Sequence, residues 1–311
     1  MNHLRRGFVR CSPGGRQRGF TLVEMVVAIT LLGILAMVMV PLLQLPMSAH
    51  LSAARRAALA SELDVSVARL RADLGRALPN SVRVRQIGAR HFVEYLEVRA
   101  SGRLRAAAAP GPQSCPATCT APGANDVMEF ACNESCFTTL GPLDGGTPVP
   151  GSDWVVINPL GPGVVNGDPY FGGSATPAGG IKSRLQGIVP SGANQRLTLA
   201  PHNFALAPAN RRFYLVATPV SYECNPATQR LTRYWGYPVA AAQPAVFGGA
   251  NSAPLATRIS ACRFSYTATG GVGGGGLLSI WLRTSQPVAN LGPGQVESAE
   301  AAVEFSIRDP S

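Results

Sequence analysis

Histidine is scarce in this sequence and catalytic motifs are absent from it. Four histidines occur in 311 residues, and past residue 19 only His50, His91 and His202 remain. No H-E-x-x-H pair, no G-x-S-x-G elbow and no phosphate-binding glycine loop is present, so metallopeptidase, serine-hydrolase or nucleotide chemistry has no residues to run on. An enzyme is therefore not expected, and no cofactor or resident metal is called for. Charge is scarce too, at 14% against 46% hydrophobic residues, which excludes a disordered polyelectrolyte. Long regular elements are excluded over much of the chain, because Gly and Pro make up 60 of its residues and impose turns and loops. A compact all-helical bundle does not fit that composition.

The N-terminus lacks acidic residues altogether: positions 1–19 carry Arg5, Arg6, Arg10, Arg16 and Arg18 and no Asp or Glu. An apolar run from Phe20 to Leu43 follows, with Glu24 its only charge. As a helix this run spans about 36 Å, enough for a hydrocarbon core of about 30 Å. The arginines on its N-terminal side place that end in the cytoplasm and the bulk of the chain outside. No small-residue cleavage pattern closes the run, so it reads as retained rather than as a secretory signal. Cys11 precedes the run and cannot be a lipidation site at its end. Glu24 inside a bilayer costs at least ~2.5 kcal/mol and demands a cationic partner or a route to water. A cut between Gly19 and Phe20 would place a new α-amine four residues before Glu24, about one helical turn away.

After Pro46 the chain turns polar but keeps a helical stripe at Leu59, Leu63, Val67, Leu70, Leu74 and Leu78. Arg55, Arg56, Glu62, Asp64, Arg69, Arg71, Asp73 and Arg76 lie between these positions and read as a solvated surface, with Pro79-Asn80 as the stop. Downstream, short Val-, Ile-, Phe- and Tyr-rich segments alternate with Gly/Pro tracts, as antiparallel strands do. The candidates are 81–87, 92–99, 154–157, 213–220, 231–237, 258–267, 277–283 and 302–308, with 106–125 and 141–178 as irregular insertions and 270–276 as a glycine loop. The expected fold is α+β: a long N-terminal helix packed on an antiparallel β-sheet head with long Gly/Pro-rich loops. Its parts are a leader, 1–19; a membrane helix, 20–45; an amphipathic helix, 46–78; and the head, 79–311.

Six cysteines follow the leader: Cys115, Cys119, Cys132, Cys136, Cys224 and Cys262. An even number in an exported segment reads as three disulfides. Cys224 with Cys262 is the preferred pair, with two bridges inside the 115–136 cluster. A tetrahedral zinc site in that cluster is the rival, at a spacing wider than zinc usually takes. Asp144, Asp153 and Asp168 sit in or beside glycine-rich loops and read as solvated acids rather than calcium ligands. The net charge of +10 falls to +5 once the five leader arginines are removed. Arg83, Arg85, Arg90, Arg99, Arg103 and Arg105 near Tyr95 could still form a basic strip, although nucleic-acid binding is not expected.

The segment Gly19-Phe20-Thr21-Leu22-Val23-Glu24-Met25, after a basic leader and before an apolar helix, resembles a type IV prepilin leader. The resemblance implies cleavage after Gly19 by a membrane-embedded prepilin peptidase, N-methylation of Phe20 and subunit registration through Glu24. It also implies helix-loosening roles for Gly33 and Pro41. The partners it implies are other major and minor pilins or pseudopilins and an inner-membrane assembly platform. It places the chain in a bacterial inner membrane and then in a pilus or pseudopilus. Two further stretches, Arg76-Ala77-Leu78-Pro79-Asn80-Ser81-Val82-Arg83 and Pro219-Val220-Ser221-Tyr222 with Leu231-Thr232-Arg233-Tyr234-Trp235-Gly236-Tyr237, resemble the MshO-like minor pilins of mannose-sensitive haemagglutinin pili. A J-type minor pseudopilin of type II secretion, and a pilin-anchored adhesin or DNA receptor, remain open alternatives.

Overall fold

The structure, a computed structural model, describes residues 19–107, 127–130, 133–171, 180–204, 206–269, 275–288 and 295–307, with the backbone alone for 40–48. The chain divides into two units, Met1–Ala54 and Arg55–Ser311. One helix, α1 (Leu22–Leu74), contributes to both. In the first unit its residues Leu22–Met39 have a mean hydropathy of 2.5 and none of that window is buried. The hydroxyl of Thr30, the polar neutral residue in this stretch, donates back to the carbonyls of Val26 and Val27 at 3.0 and 2.9 Å, as an apolar surrounding demands.

The second unit is built on two long antiparallel strands, β2 (Arg90–Arg103) and β8 (Arg212–Asn225), paired along their length with one bulge in each strand. Strand β1 (Arg83–Ile87) folds onto β2 through a tight hairpin whose Gly88 adopts φ 60°, a value that costs glycine nothing. On its far edge β8 pairs with β9 (Arg230–Trp235) at its C-terminal half and with β5 (Trp154–Ile157) at its N-terminal half. The sheet continues through β6 (Lys182–Ser191), β7 (Asn194–Asn203) and β3 (Asn133–Thr138). Strand β10 (Asn251–Ala256) extends β9, and the two-residue β4 (Asp144–Gly145) touches β2. A second sheet holds β11 (Ile259–Ala268), β12 (Gly276–Pro287) and β13 (Val296–Ile307) in that order.

The main core lies between the two sheets and the Arg55–Leu74 part of α1. Leu63, Leu70 and Leu74 meet Val93, Tyr95, Val220 and Tyr222 from one sheet and Phe264, Leu278, Ile280 and Phe305 from the other. Burial on both faces explains why β8 reads as a near-continuous apolar run, whereas β12 alternates. A disulfide joins Cys224 of β8 to Cys262 of β11 and so staples the two sheets. Cys136, in β3, is also disulfide-bonded and so is not a thiolate ligand for zinc; Cys115, Cys119 and Cys132 lie outside the described residues.

The helix ends at Leu74, earlier than the stripe suggests. Gly75 opens the last turn, and Arg76–Leu78 peel away to pair with β2: the Leu78 N–H donates to the Leu96 carbonyl at 2.8 Å, and the Val98 N–H to the Arg76 carbonyl at 2.8 Å. Leu78 therefore packs with Leu96, Val156 and Tyr170 rather than continuing the helical stripe. All eight strand candidates have a counterpart; β3, β4, β6, β7 and β10 have no forerunner in the sequence reading.

Lys182 is the only lysine in the chain and is 2% exposed. Its Nζ donates to the Pro169 carbonyl at 3.0 Å, and burial lowers its pKa to about 8, with Asp168 opposing the shift. Below pH 8 folded and unfolded chains both carry the proton, so the fold bears the full desolvation cost. Between 8 and 10.5 only the unfolded chain keeps it, and stability rises with pH.

Lys182→Met is expected to raise stability at pH 7 by up to about 3 kcal/mol, with the gain over the parent shrinking as pH climbs from 8 to 10.5; denaturant titrations across that range check both the sign and the window. Replacing Cys224 and Cys262 together by serine opens a 38-residue loop and is expected to cost about 4 kcal/mol, read in the same way.

Candidate processing and assembly site

Gly19, Phe20 and Thr21 lie ahead of the helix, with Phe20 82% exposed. The helix begins with a cap. The Glu24 N–H donates to Thr21 Oγ1 at 3.3 Å and the Met25 N–H to the Thr21 carbonyl at 3.1 Å. Thr21 is thus the N-cap and Glu24 the third helical residue, the spacing of a capping box, a signal in the sequence that the motif reading passed over. The Gly19–Phe20 bond falls outside the hydrogen-bonded turn, so cutting it leaves the cap whole. Nothing lies within 4 Å of where a Cβ on Gly19 would stand; this chain's own packing does not require glycine there. Among the described residues Glu24 has no ion-pair partner, and its carboxylate sits where the positive end of the helix dipole favours it. Gly33 and Pro41 both fall within α1. A Cβ on Gly33 would also meet open space, and the Pro41 side chain lies outside the described residues.

In the second unit the last turns of α1 are latched by charge. Asp73, assigned to the solvated surface by the sequence pattern, is 1% exposed. Its Oδ2 accepts the Tyr222 hydroxyl and the Arg233 Nε–H, each at 2.5 Å, and its Oδ1 faces Arg69 at 3.2 Å and Arg76 at 3.3 Å. Burial and then the Asp73 charge push the Tyr222 phenol well up. Burial opposes the Arg233 charge, but Asp73 outweighs it and the guanidinium's pKa is raised. Ser66 donates to the Leu255 carbonyl at 3.2 Å, Glu62 pairs with Arg258 at 2.7 Å and Arg55 with Glu297 at 3.1 Å. Glu62 is likewise engaged rather than free in water. The misreading has a simple cause: positions 59, 63, 66, 70 and 73 share one helix face, so Ser66 and Asp73 belong to the buried side.

Five of the six arginines of the basic strip are engaged within the fold, and Arg103 is exposed. Arg83 pairs with the fully buried Glu94 at 2.6 Å and donates to the carbonyls of Ala241 and Ala240. Arg85 donates to the Gln243 carbonyl, and Arg90 to Glu223 and the Ala245 carbonyl. Together they pin the 240–245 stretch of the β9–β10 connection over the β1–β2 hairpin. Arg99 pairs with Asp153 at 2.9 Å and Arg105 donates to the Thr139 carbonyl. Burial raises the Glu94 pKa, with Arg83 and Tyr237 pulling it back. The loop acids also have structural partners. Asp153 is fully buried and accepts the Val149 N–H, while Asp168 closes its loop by accepting the N–H groups of Gly163 and Tyr170. Among the described residues no three of His, Cys, Asp or Glu gather as a metal-binding group.

The chain thus has an exposed apolar helix capped by Thr21, with Gly19 and Phe20 ahead of the cap, and an antiparallel β-sheet domain, an arrangement consistent with membrane anchoring. Residues 14–40 match the family described as Prokaryotic N-terminal methylation motif, and this match supports a type IV pilin- or pseudopilin-like subunit processed at its N-terminus. No curated protein and no solved structure matches the chain.

Asp73→Ala leaves Arg233 buried without its carboxylate and is expected to cost about 3–5 kcal/mol. Tyr222→Phe removes one charge-assisted bond and should cost about 1.5–3 kcal/mol. Replacing Asp73 by Leu and Arg233 by Met together should recover most of the Asp73→Ala loss, because no uncompensated charge remains; chemical denaturation of the three variants checks the order.

Proposed function

We propose that this chain is a non-enzymatic minor pilin or pseudopilin. It is inserted once in the inner membrane with its N-terminus cytoplasmic and its head periplasmic, cut after Gly19 by prepilin peptidase and methylated on Phe20. It then joins other pilins through the inner-membrane assembly platform and primes or caps the filament. The observation that carries this reading is the methylation-motif match over residues 14–40, supported by the cleavable extended bond ahead of the Thr21 cap. In the assembled state Glu24 would pair with the Phe20 amine of a neighbour, removing two charges from lipid at once. Gly33 and Pro41 would let the membrane helix adapt to its neighbours.

The finer reading, a minor subunit of a mannose-sensitive-haemagglutinin type filament, rests on the MshO-like stretches. These fall on the helix-to-strand junction and on β8 and β9, where Arg76, Tyr222 and Arg233 surround Asp73. They therefore include residues that fix the helix end to the head. Three disulfides among Cys115, Cys119, Cys132, Cys136, Cys224 and Cys262 complete the proposal, with Cys224–Cys262 one of them.

The non-reduced intact mass of protein purified from its native membrane is expected to equal a chain starting at Phe20, plus one methyl group and less six hydrogens; a mass retaining residues 1–19 overturns the processing claim. Glu24→Ala is expected to be cut and methylated normally yet absent from sheared filaments, and normal incorporation of that variant would defeat the pairing role.

A further inference from the structure

The outer face of β8, β9 and β10 carries a groove of about 560 Å³, within the range of ligand clefts, about 300–1,000 Å³. The strand register builds it. Glu223 stands opposite Thr232, Ser221 opposite Tyr234, and Asn225 opposite Arg230, while Ser252 of β10 faces Tyr234. The floor is polar: Glu223, Asn225, Arg230, Thr232 and Ser252, with Tyr234 at one end and the turn residue Thr228 at the other.

Two features separate this groove from an ordinary wet sheet face. Glu223 is 7% exposed, and its Oε1 accepts Arg90 Nε–H at 2.8 Å and Asn225 Nδ2–H at 3.3 Å. Tyr234 lies against it, its phenol pushed up by burial and by the Glu223 charge. The carboxylate is thus oriented in advance on the groove floor. Arg230 is the opposite case. Its neighbours Arg83, Arg85, Arg90, Arg233 and Arg258 are all engaged with carboxylates or carbonyls, whereas Arg230 is exposed and, among the described residues, has no acidic partner.

We propose that this groove binds a saccharide bearing a carboxylate. A fixed carboxylate accepts two vicinal hydroxyls, threonine and serine hydroxyls match the neutral rim of a sugar, and a free guanidinium takes a sugar carboxylate bidentately. Pro254 and the ring of Tyr234 are the apolar parts of the lining, so an apolar ligand finds little to bury against. One face of Tyr234 is already stacked on Phe247, at 4.2 Å and 11°, and no other aromatic ring lines the groove, so a nucleobase finds at most one ring face. This site is additional to the assembly role and does not depend on it.

The test is isothermal titration of the full-length protein in detergent micelles with tetragalacturonate, and with maltotetraose as the uncharged counterpart. Saturable binding of tetragalacturonate alone is expected, weakened about tenfold or more by Arg230→Gln and also reduced by Thr232→Val. Arg230 supports no other residue, so its substitution tests recognition rather than folding. Arg56→Gln, an exposed arginine on α1, should bind like the parent. No saturable binding at millimolar saccharide, equal binding of maltotetraose, or the same loss with Arg56→Gln as with Arg230→Gln would overturn the proposal.

Discussion

The head depends on one buried carboxylate. Asp73 sits where the helix must end and the first strand must begin, and it is reached by side chains from β8 and β9 as well as from its own helix. Apolar contacts between a helix and a sheet tolerate sliding, because Leu against Val is nearly as good one residue over. A charge held by Tyr222 and Arg233 does not, since any displaced register strands a charge away from water. Burying Asp73 therefore trades some stability for a single placement of the Arg55–Leu74 segment. Ser66 and Glu62 repeat the device at weaker strength about two and three turns earlier.

The same logic explains why the chain uses arginine almost exclusively. Long Gly/Pro-rich connections cannot satisfy their own carbonyls, and a guanidinium presents five donors in a fixed fork. Arg83 alone holds Glu94 and two carbonyls of the β9–β10 connection, and its guanidinium lies 3.6 Å from the centre of the Tyr170 ring. Phe247 in that connection stacks on Tyr234 and packs near Phe92 and Tyr237. Order in these loops is supplied by side chains donating to backbone. Much of the head's basic composition is thereby spent inside the fold, while arginines such as Arg103 and Arg230 stay exposed.

Much of the architecture was legible in the sequence. The apolar stripe from Leu59 to Leu74 placed the helix on its core, and 154–157 was found to the residue because Trp154–Ile157 is a short apolar run between loops. Strands β6 and β7 were illegible for a physical reason: Lys182, Arg184, Gln186, Pro190 and Gln195 interrupt the alternation, and their place in the sheet is set by pairing with each other across Gly192. Strand β4 is too short to carry a pattern. The N-terminal motif over residues 14–40 was visible from residue types alone, since an apolar run, a basic flank and a lone carboxylate are local properties. Asp73, Glu94 and Glu223 were not, because burial of an acid depends on partners 149 and 160 residues away in one case and on sheet register in the others.

Glu24 shows how a local rule and an assembly rule converge on one residue. In the intact chain its carboxylate lies at the positive end of the helix, and Thr21 satisfies its N–H, so the first turn is favourable on its own terms. Removing residues before Phe20 would add a positive amine to that same end, where the helix dipole repels it. Methylation leaves an amine positive at neutral pH and so relieves nothing electrostatic. A carboxylate within a turn of the amine is then the smallest device that keeps the new terminus tolerable in a low-dielectric surrounding. The amine can be met by the same chain's Glu24 or by a neighbour's, and only the second choice also draws two helices together. In the proposed role of Glu24 the cost of an acid in the membrane would become a bias toward association, and the Thr21 cap would let processing change the charge at the helix start without changing its hydrogen bonds.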